Sequence, residues 1–299
     1  MSQKKRDLID NTYKTVFTKF NTLLNSKKSK IKPLKNTNKK VIVLANGPSV
    51  KKEFEDKTIL SEMANTDAIC VNFFYKSEVF DFIKPKYYLI SAPELWEEDV
   101  SELHQKNRNS LYNKLTNHVT WEMTFFIPFQ AKTTSFWREQ LSKNNNITIQ
   151  YYNNTPIEGF ESFRFRQFDK QRGTPRCHNV LGYTLMVLIW KDYKNIGIFG
   201  ADHTWTKSLY VSEDNKAFLE QPHFYNTNPN LVQMHTKGKK DEKKRKFHEI
   251  IHKFYLAFKS YFEIHNYAKT KGIKIYNLTK GSFIDAFERM TPKDLFEKI

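Results

Sequence analysis

The chain has 299 residues, 39% of them apolar, which is enough for one large α/β domain or a domain with appendages. A net charge of +17 calls for an anionic partner or surface: nucleic acid, lipid headgroups or an anionic small substrate. Zinc-finger spacing, an RRM signature and a helix-turn-helix pattern are all lacking, and no run nears the ~18 apolar residues of a membrane span, so neither nucleic-acid binding nor membrane spanning is expected.

The start, Met-Ser-Gln-Lys-Lys-Arg-Asp, lacks the apolar stretch of a signal peptide, and a cytoplasmic protein is expected. Residues 1–39 read as an appendage. Ile9, Tyr13, Val16, Phe17, Phe20, Leu23 and Leu24 share one face at the 3.6 period, with lysines elsewhere, and a lysine-rich linker follows. A basic amphipathic helix of this kind can lie on an anionic inner membrane face, or pack on the body or on another subunit of a homo-oligomer; both readings stay open.

From Val41 onward strands and helices alternate. Strands are expected at 41–46, 68–72, 86–91, 119–127, 147–152, 195–200 and 273–277, and helices near 50–64, 94–116, 133–142, 179–193, 242–271 and 282–289. Short apolar runs separated by helices imply βαβ units and a single Rossmann-like, doubly wound, mainly parallel sheet over 40–299. Residues 204–241 break the rhythm, being polar, aromatic and rich in Asn, Lys and Pro; they are expected to form an insertion over the site, a lid without strands or helices of its own. Cys70 and Cys177 sit in apolar runs and read as reduced core thiols rather than a disulfide or a nucleophile.

The most informative turn is Asn46-Gly47-Pro48-Ser49, where the first strand gives way to a helical pattern. Gly47 allows a ligand to approach the backbone, Pro48 suits a first helical turn and Ser49 can cap it. Free N–H groups there favour an anion such as a nucleotide phosphate, although the turn is neither G-x-G-x-x-G nor a Walker loop and does not name the nucleotide. Ligands of open parallel sheets lie beyond the carboxyl ends of the strands. Polar residues collect at those ends: Asn46-Gly47, Asn72, Ser91 and Gly200-Ala201-Asp202-His203, with Asn179 opening an apolar helix. A small-ligand site is expected on this rim.

With these residues in view, the chain resembles the bacterial sialyltransferases of glycosyltransferase family 42, a metal-independent variant of the GT-A fold. The shared features are the strand into Asn46-Gly47-Pro48-Ser49, Asn72 followed by aromatics, the pair Gln171-Arg172, the helix ending Asp192-Tyr193-Lys194-Asn195-Ile196, and the strand closing on Gly200-Ala201-Asp202. The likeness spans about residues 40–290. It differs in having Thr204 where the family has a phosphate-contacting Tyr, Ser91-Ala92 in place of an Asn, an insertion that lets Arg172 and Arg176 compete for one role, and a foreign Asp202-His203-Thr204-Trp205 run.

The resemblance implies an inverting transfer from a CMP-sugar, with sialic acid or a related acidic sugar as the donor group. The acceptor would be a bacterial surface glycan, such as lipopolysaccharide or capsule, or its lipid-linked precursor. It also implies that Tyr210 and Arg172 or Arg176 receive the departing phosphate, with no metal and no other cofactor. No Asp-x-Asp occurs in the chain, the motif by which a divalent ion usually holds a sugar diphosphate. The base that takes the acceptor's proton is His235 by the family's spacing, with His203 and His223 as alternatives; a neutral imidazole suits the task at cell pH. Asp202 could bond a sugar hydroxyl. Two other readings remain: a Mg²⁺-dependent nucleotide or pterin pyrophosphokinase, since such enzymes also open on Gly-Pro-Ser, and a non-catalytic polyanion-binding module.

Overall fold

The computed structural model describes residues 2–35, 39–220, 232–233 and 244–298. Helix α1 (Gln3–Asn25) precedes β1 (Lys40–Leu44), α2 (Lys51–Glu55), α3 (Lys57–Ala64), β2 (Asp67–Val71), α4 (Phe80–Ile83), β3 (Tyr87–Leu89), α5 (Glu102–His118), β4 (Met123–Pro128), α6 (Phe136–Leu141) and β5 (Ile147–Tyr152). The second half runs α7 (Glu161–Asp169), α8 (Val180–Trp190), β6 (Asn195–Phe199), β7 (Leu209–Val211), β8 (Ala217–Leu219), β9 (Val232–Gln233), α9 (Phe247–Thr270), β10 (Lys274–Asn277), β11 (Glu288–Arg289) and α10 (Pro292–Lys298).

Eight strands form one sheet in the order β11-β10-β6-β1-β2-β3-β4-β5, and every pairing in it is parallel. The sheet is doubly wound, as the apolar runs predict. Alternate residues of β1 serve opposite cores: Val41 and Val43 face the layer of α7, α8 and α9, while Ile42 and Leu44 face the layer of α3, α5, α6 and α10. Burial on both faces explains why these strands are continuous apolar runs rather than alternating ones, each such side chain contributing roughly 1.5–3 kcal/mol. Helix α8 is buried almost all round between the sheet and α9, which accounts for its lack of a polar face.

The chain runs outward from β1 through β2 to β5, then returns to place β6 on the other side of β1. That reversal is the topological switch point, and it opens a crevice between the carboxyl ends of β1 and β6.

Several elements differ from expectation. The helix expected over 50–64 is two short helices broken at Asp56, whose extended backbone and carboxylate cap α3 by accepting from Thr58 and Ile59 N–H. The helix expected over 94–116 begins only at Glu102, after the Ser101 cap. No helix forms over 282–289: Gly281 is left-handed (φ 74°), Phe283 N–H donates to the Asp202 carbonyl, and Glu288–Arg289 pair with β10. Contrary to expectation, the insertion has strands of its own, with β7, β8 and β9 forming an antiparallel sheet of three strands. Leu209, Ala217 and Leu219 from one face of that sheet pack with Ile250 and Phe254 of α9. Cys70 and Cys177 are buried and unlinked, and burial pushes the Cys177 thiol up to about 12, as expected of core thiols. Among the described residues no helix is long and apolar enough to cross a membrane.

Candidate active site

A cleft of about 150 Å³ lies at the switch point, lined by Asn46, Gly47, Pro48, Asn72, Asn179, Gly200, Asp202 and His203, and also by Thr204, Trp205, Ser208 and Glu220. Most of the rim residues singled out by sequence are thus brought together. Ser49 stands behind them, its Oγ donating to Asp202 Oδ2 at 2.9 Å.

The two strand ends are stitched directly. Gly47 N–H donates to the Gly200 carbonyl at 2.8 Å and Ala45 N–H to Phe199 at 3.0 Å. Gly47 has an ordinary φ of −68°, so its need for glycine is not conformational. A Cβ there would lie 1.9 Å from Asp202 Oδ2 and 2.4 Å from the Gly200 carbonyl oxygen. The close approach there is made by the protein's own Asp202 and Gly200, while Gly47 also lines the cleft. Gly200 itself is left-handed (φ 67°), and a Cβ would meet the Ala45 carbonyl at 2.7 Å.

The anion seat expected after Pro48 is altered in the same way. The helix there is a single 3-10 turn followed by five α-helical residues, and the carboxylate of Asp202 already sits against it. Behind Asp202, burial pushes the Glu53 carboxyl up and the negative charge of Asp202 adds to the effect; Glu53 Oε2 is buried without a hydrogen-bond partner. No Lys or Arg lines the cleft among the described residues, while Asp202 and Glu220 do. Among the described residues no three His, Cys, Asp or Glu side chains gather into a metal-holding group.

Three amides provide neutral polarity. Asn46 donates to the Val71 carbonyl at 3.2 Å, leaving its Oδ1 buried and unpartnered in the cleft wall. A buried acceptor of this kind costs about 1–3 kcal/mol unless a donor reaches it. Asn72 adopts a left-handed φ of 46°, which Asn tolerates, and its Oδ1 accepts from Ser91 N–H at 3.3 Å. Ser91 thus braces Asn72 rather than lining the cleft. Asn179 caps α8, accepting from Gly182 N–H at 3.1 Å and donating to the Cys177 carbonyl at 3.0 Å.

His203 is half-buried and has a left-handed φ of 52°. Its ring lies against Trp205, with centroids 4.1 Å apart, and its Nε2 meets the Tyr261 hydroxyl at 2.6 Å. Burial pushes the imidazole down to about 3, the Ala201 backbone nearby opposing it only in part. A group so placed is a poor proton acceptor at neutral pH.

The sign of its contribution to stability follows. The unfolded chain protonates His203 below about pH 6.5, the folded chain only near pH 3, so stability is lost as pH falls through that window. We expect the urea-derived unfolding free energy to fall on acidification from pH 6.5 to 4, and the H203F variant to have a slope shallower by about 1.4 kcal/mol per pH unit. An unchanged slope would contradict the buried, neutral ring.

Other expected site residues lie elsewhere. Arg176 pairs with Glu158 at 2.5 Å, and Arg172 is exposed, its carbonyl accepting from Ser26; neither lines the cleft. Tyr210 is 41% exposed and stacks on Phe218 at 5.6 Å, outside the cleft lining. Strand alternation puts Tyr210 and Phe218 on the face of their small sheet opposite to Leu209, Ala217 and Leu219. His223 and His235 lie outside the described residues. Thr204, Trp205, Ser208 and Glu220 were not anticipated as site residues; the run after Asp202 carried only the signal of breaking the strand-helix rhythm.

No family model matches the chain, and no curated protein matches it. Among solved structures, the chain is similar to the MAf glycosyltransferase from Magnetospirillum magneticum, at 8% identity and a TM-score of 0.48 over 96% of this chain. It spans only 39% of the length of that protein. It is also similar to the sialyltransferase CstII from Campylobacter jejuni, solved with the substrate analogue CMP-3FNeuAc, at 18% identity and a TM-score of 0.42 over 85% of this chain and 86% of that one.

Proposed function

We propose that the chain is a metal-independent, inverting glycosyltransferase that moves sialic acid or a related acidic sugar from a CMP-sugar to a bacterial surface glycan or its lipid-linked precursor. The observation that carries this reading is the switch-point cleft with its amide lining, above all the buried, unpartnered Asn46 Oδ1, an acceptor in need of a donor such as a sugar hydroxyl or a base amino group. In the reaction the acceptor hydroxyl gives its proton to a base, its oxygen attacks the anomeric carbon, and the carbon–oxygen bond to phosphate breaks with its electron pair leaving on CMP. Asp202, fixed by Ser49, is the candidate base among the described residues; His235 retains its place from the resemblance. Tyr210, named by the resemblance, is the hydroxyl we assign to the departing phosphate.

One observation favours the second reading, a Mg²⁺-dependent pyrophosphokinase. A phosphate beside Asp202 and Glu220, with no Lys or Arg in the lining, suits a bridging cation. Thermal shifts separate the two. Under the first, CMP raises the melting temperature in EDTA, and a CMP-sugar is hydrolysed in EDTA; stabilisation only by ATP with Mg²⁺ would overturn it.

A further inference from the structure

Helix α1 is docked with its polar edge inward. Asn11, Thr15, Thr18, Thr22 and Ser26 form the least exposed stripe, spaced to fall on one side of the helix. Thr18 Oγ1 accepts from Glu158 N–H at 3.2 Å, Thr15 Oγ1 from Phe160 N–H at 3.1 Å, and Ser26 Oγ donates to the Arg172 carbonyl at 2.5 Å. Gly159 permits the fit, since a Cβ there would lie 2.1 Å from Thr15 Oγ1. The seat is formed by residues that follow β5, on the same carboxyl-end rim as the cleft.

The apolar face is left to solvent. Tyr13, Val16, Phe20 and Leu23 are 62–81% exposed, and Ile9, Phe17 and Leu24 are also exposed. A stripe of seven large apolar side chains on one helix face is far beyond the scattered exposed leucine of ordinary surfaces. Charge selects what covers it. Between residues 2 and 35 there are ten Lys and Arg against Asp7 and Asp10, a net of +8, and Lys27, Lys28, Lys30 and Lys32 of the segment after the helix are exposed. The 4-3-4-3 spacing of Ile9, Tyr13, Val16, Phe20 and Leu23 would seat on another helix too, but a second copy brings the same +8 to the contact.

We propose that α1 lies in the headgroup layer of an anionic bilayer, its Tyr13–Leu24 face in the acyl boundary and the lysines after it on the lipid phosphates. Threonine docking then makes structural sense: the body holds the helix by hydrogen bonds, leaving the whole apolar face for lipid. The cleft is thereby brought near the membrane plane, within reach of a substrate carried on a lipid. This goes beyond the glycosyl-transfer reading and does not need it.

The test uses the full chain and extruded vesicles of phosphatidylcholine, with or without one part in four of phosphatidylglycerol. Co-sedimentation should require the anionic lipid and weaken at least tenfold in F20E and V16E, whose melting temperatures should match the parent because both side chains are largely exposed. An environment-sensitive dye on F20C should shift to the blue with anionic vesicles, and the same dye on N113C should not. Binding that survives both charge substitutions, or an F20C dye that stays in water, would overturn the proposal. A concentration-dependent dimer of the parent that F20E abolishes would overturn it in favour of a second copy.

Discussion

Under the glycosyl-transfer reading, exchanging Asp202 for Asn should lower sugar transfer about 10²- to 10³-fold while leaving the fold intact. The amide keeps the shape of the carboxylate and can still accept the Ser49 hydroxyl, now 2.9 Å from Oδ2, so the corner has no reason to collapse. What is lost is the charge that would receive or steer the acceptor proton. Nucleotide affinity should move the other way: with no Lys or Arg in the described lining, removing one of its two carboxylates relieves repulsion on an incoming phosphate. The neighbouring Glu53, held up chiefly by burial, should also ionise more readily once the further push of the Asp202 charge is gone. Titrating CMP and measuring turnover of the same preparation reads both effects. Transfer within threefold of the parent would remove Asp202 from the chemistry; CMP bound more weakly would mean that its carboxylate contacts the nucleoside.

The second large effect is at Gly47. Its alanine variant must find room for a methyl 1.9 Å from Asp202 Oδ2 and 2.4 Å from the Gly200 carbonyl oxygen. The carboxylate can swing away, but the carbonyl is backbone and is pinned by the Gly47 N–H itself. Overpacking of this sort costs about 1–3 kcal/mol, and in a chain of this length that lowers the melting temperature by several degrees. Under the CMP-sugar reading, CMP affinity should fall at least tenfold, because separating the ends of β1 and β6 distorts the cleft wall. The double variant G47A/D202A tells the two obstacles apart: relief of the side-chain clash alone should recover part of the stability. A G47A protein with the parent melting temperature would show that the strand ends yield more freely than their hydrogen bonds imply.

Much of the architecture could be read directly from residue order. Runs such as Val41–Leu44 and Ile196–Phe199 are apolar on both faces, a pattern that parallel sheets covered by helices impose, and polar strand ends mark the ligand rim of such sheets. Helix α7 was harder to see: Phe163, Phe165 and Phe168 alternate with Arg164 and Arg166, a spacing that follows neither the helical nor the strand period cleanly. Strands β7 to β9 were missed because each is two or three residues long, too short for alternation to register. The roles of individual side chains were the least legible. His203 carries the sequence signal of a base, yet Trp205 and Tyr261, the latter 58 residues away, make it a neutral structural ring. Arg176 offered a phosphate contact, and Glu158 engages it instead. Pairings of this kind depend on tertiary neighbours that local spacing does not encode.

The loop after β10 has a bearing on how Asp202 is held. Thr279 Oγ1 accepts from Ala201 N–H, Ser282 Oγ donates to the Ala201 carbonyl, and Phe283 N–H holds the Asp202 carbonyl. Three successive anchors from the far end of the chain thus fix the segment that presents Asp202 to the cleft. Substitutions at Thr279 or Ser282, neither of which lines the cleft, would therefore reach Asp202 from a distance.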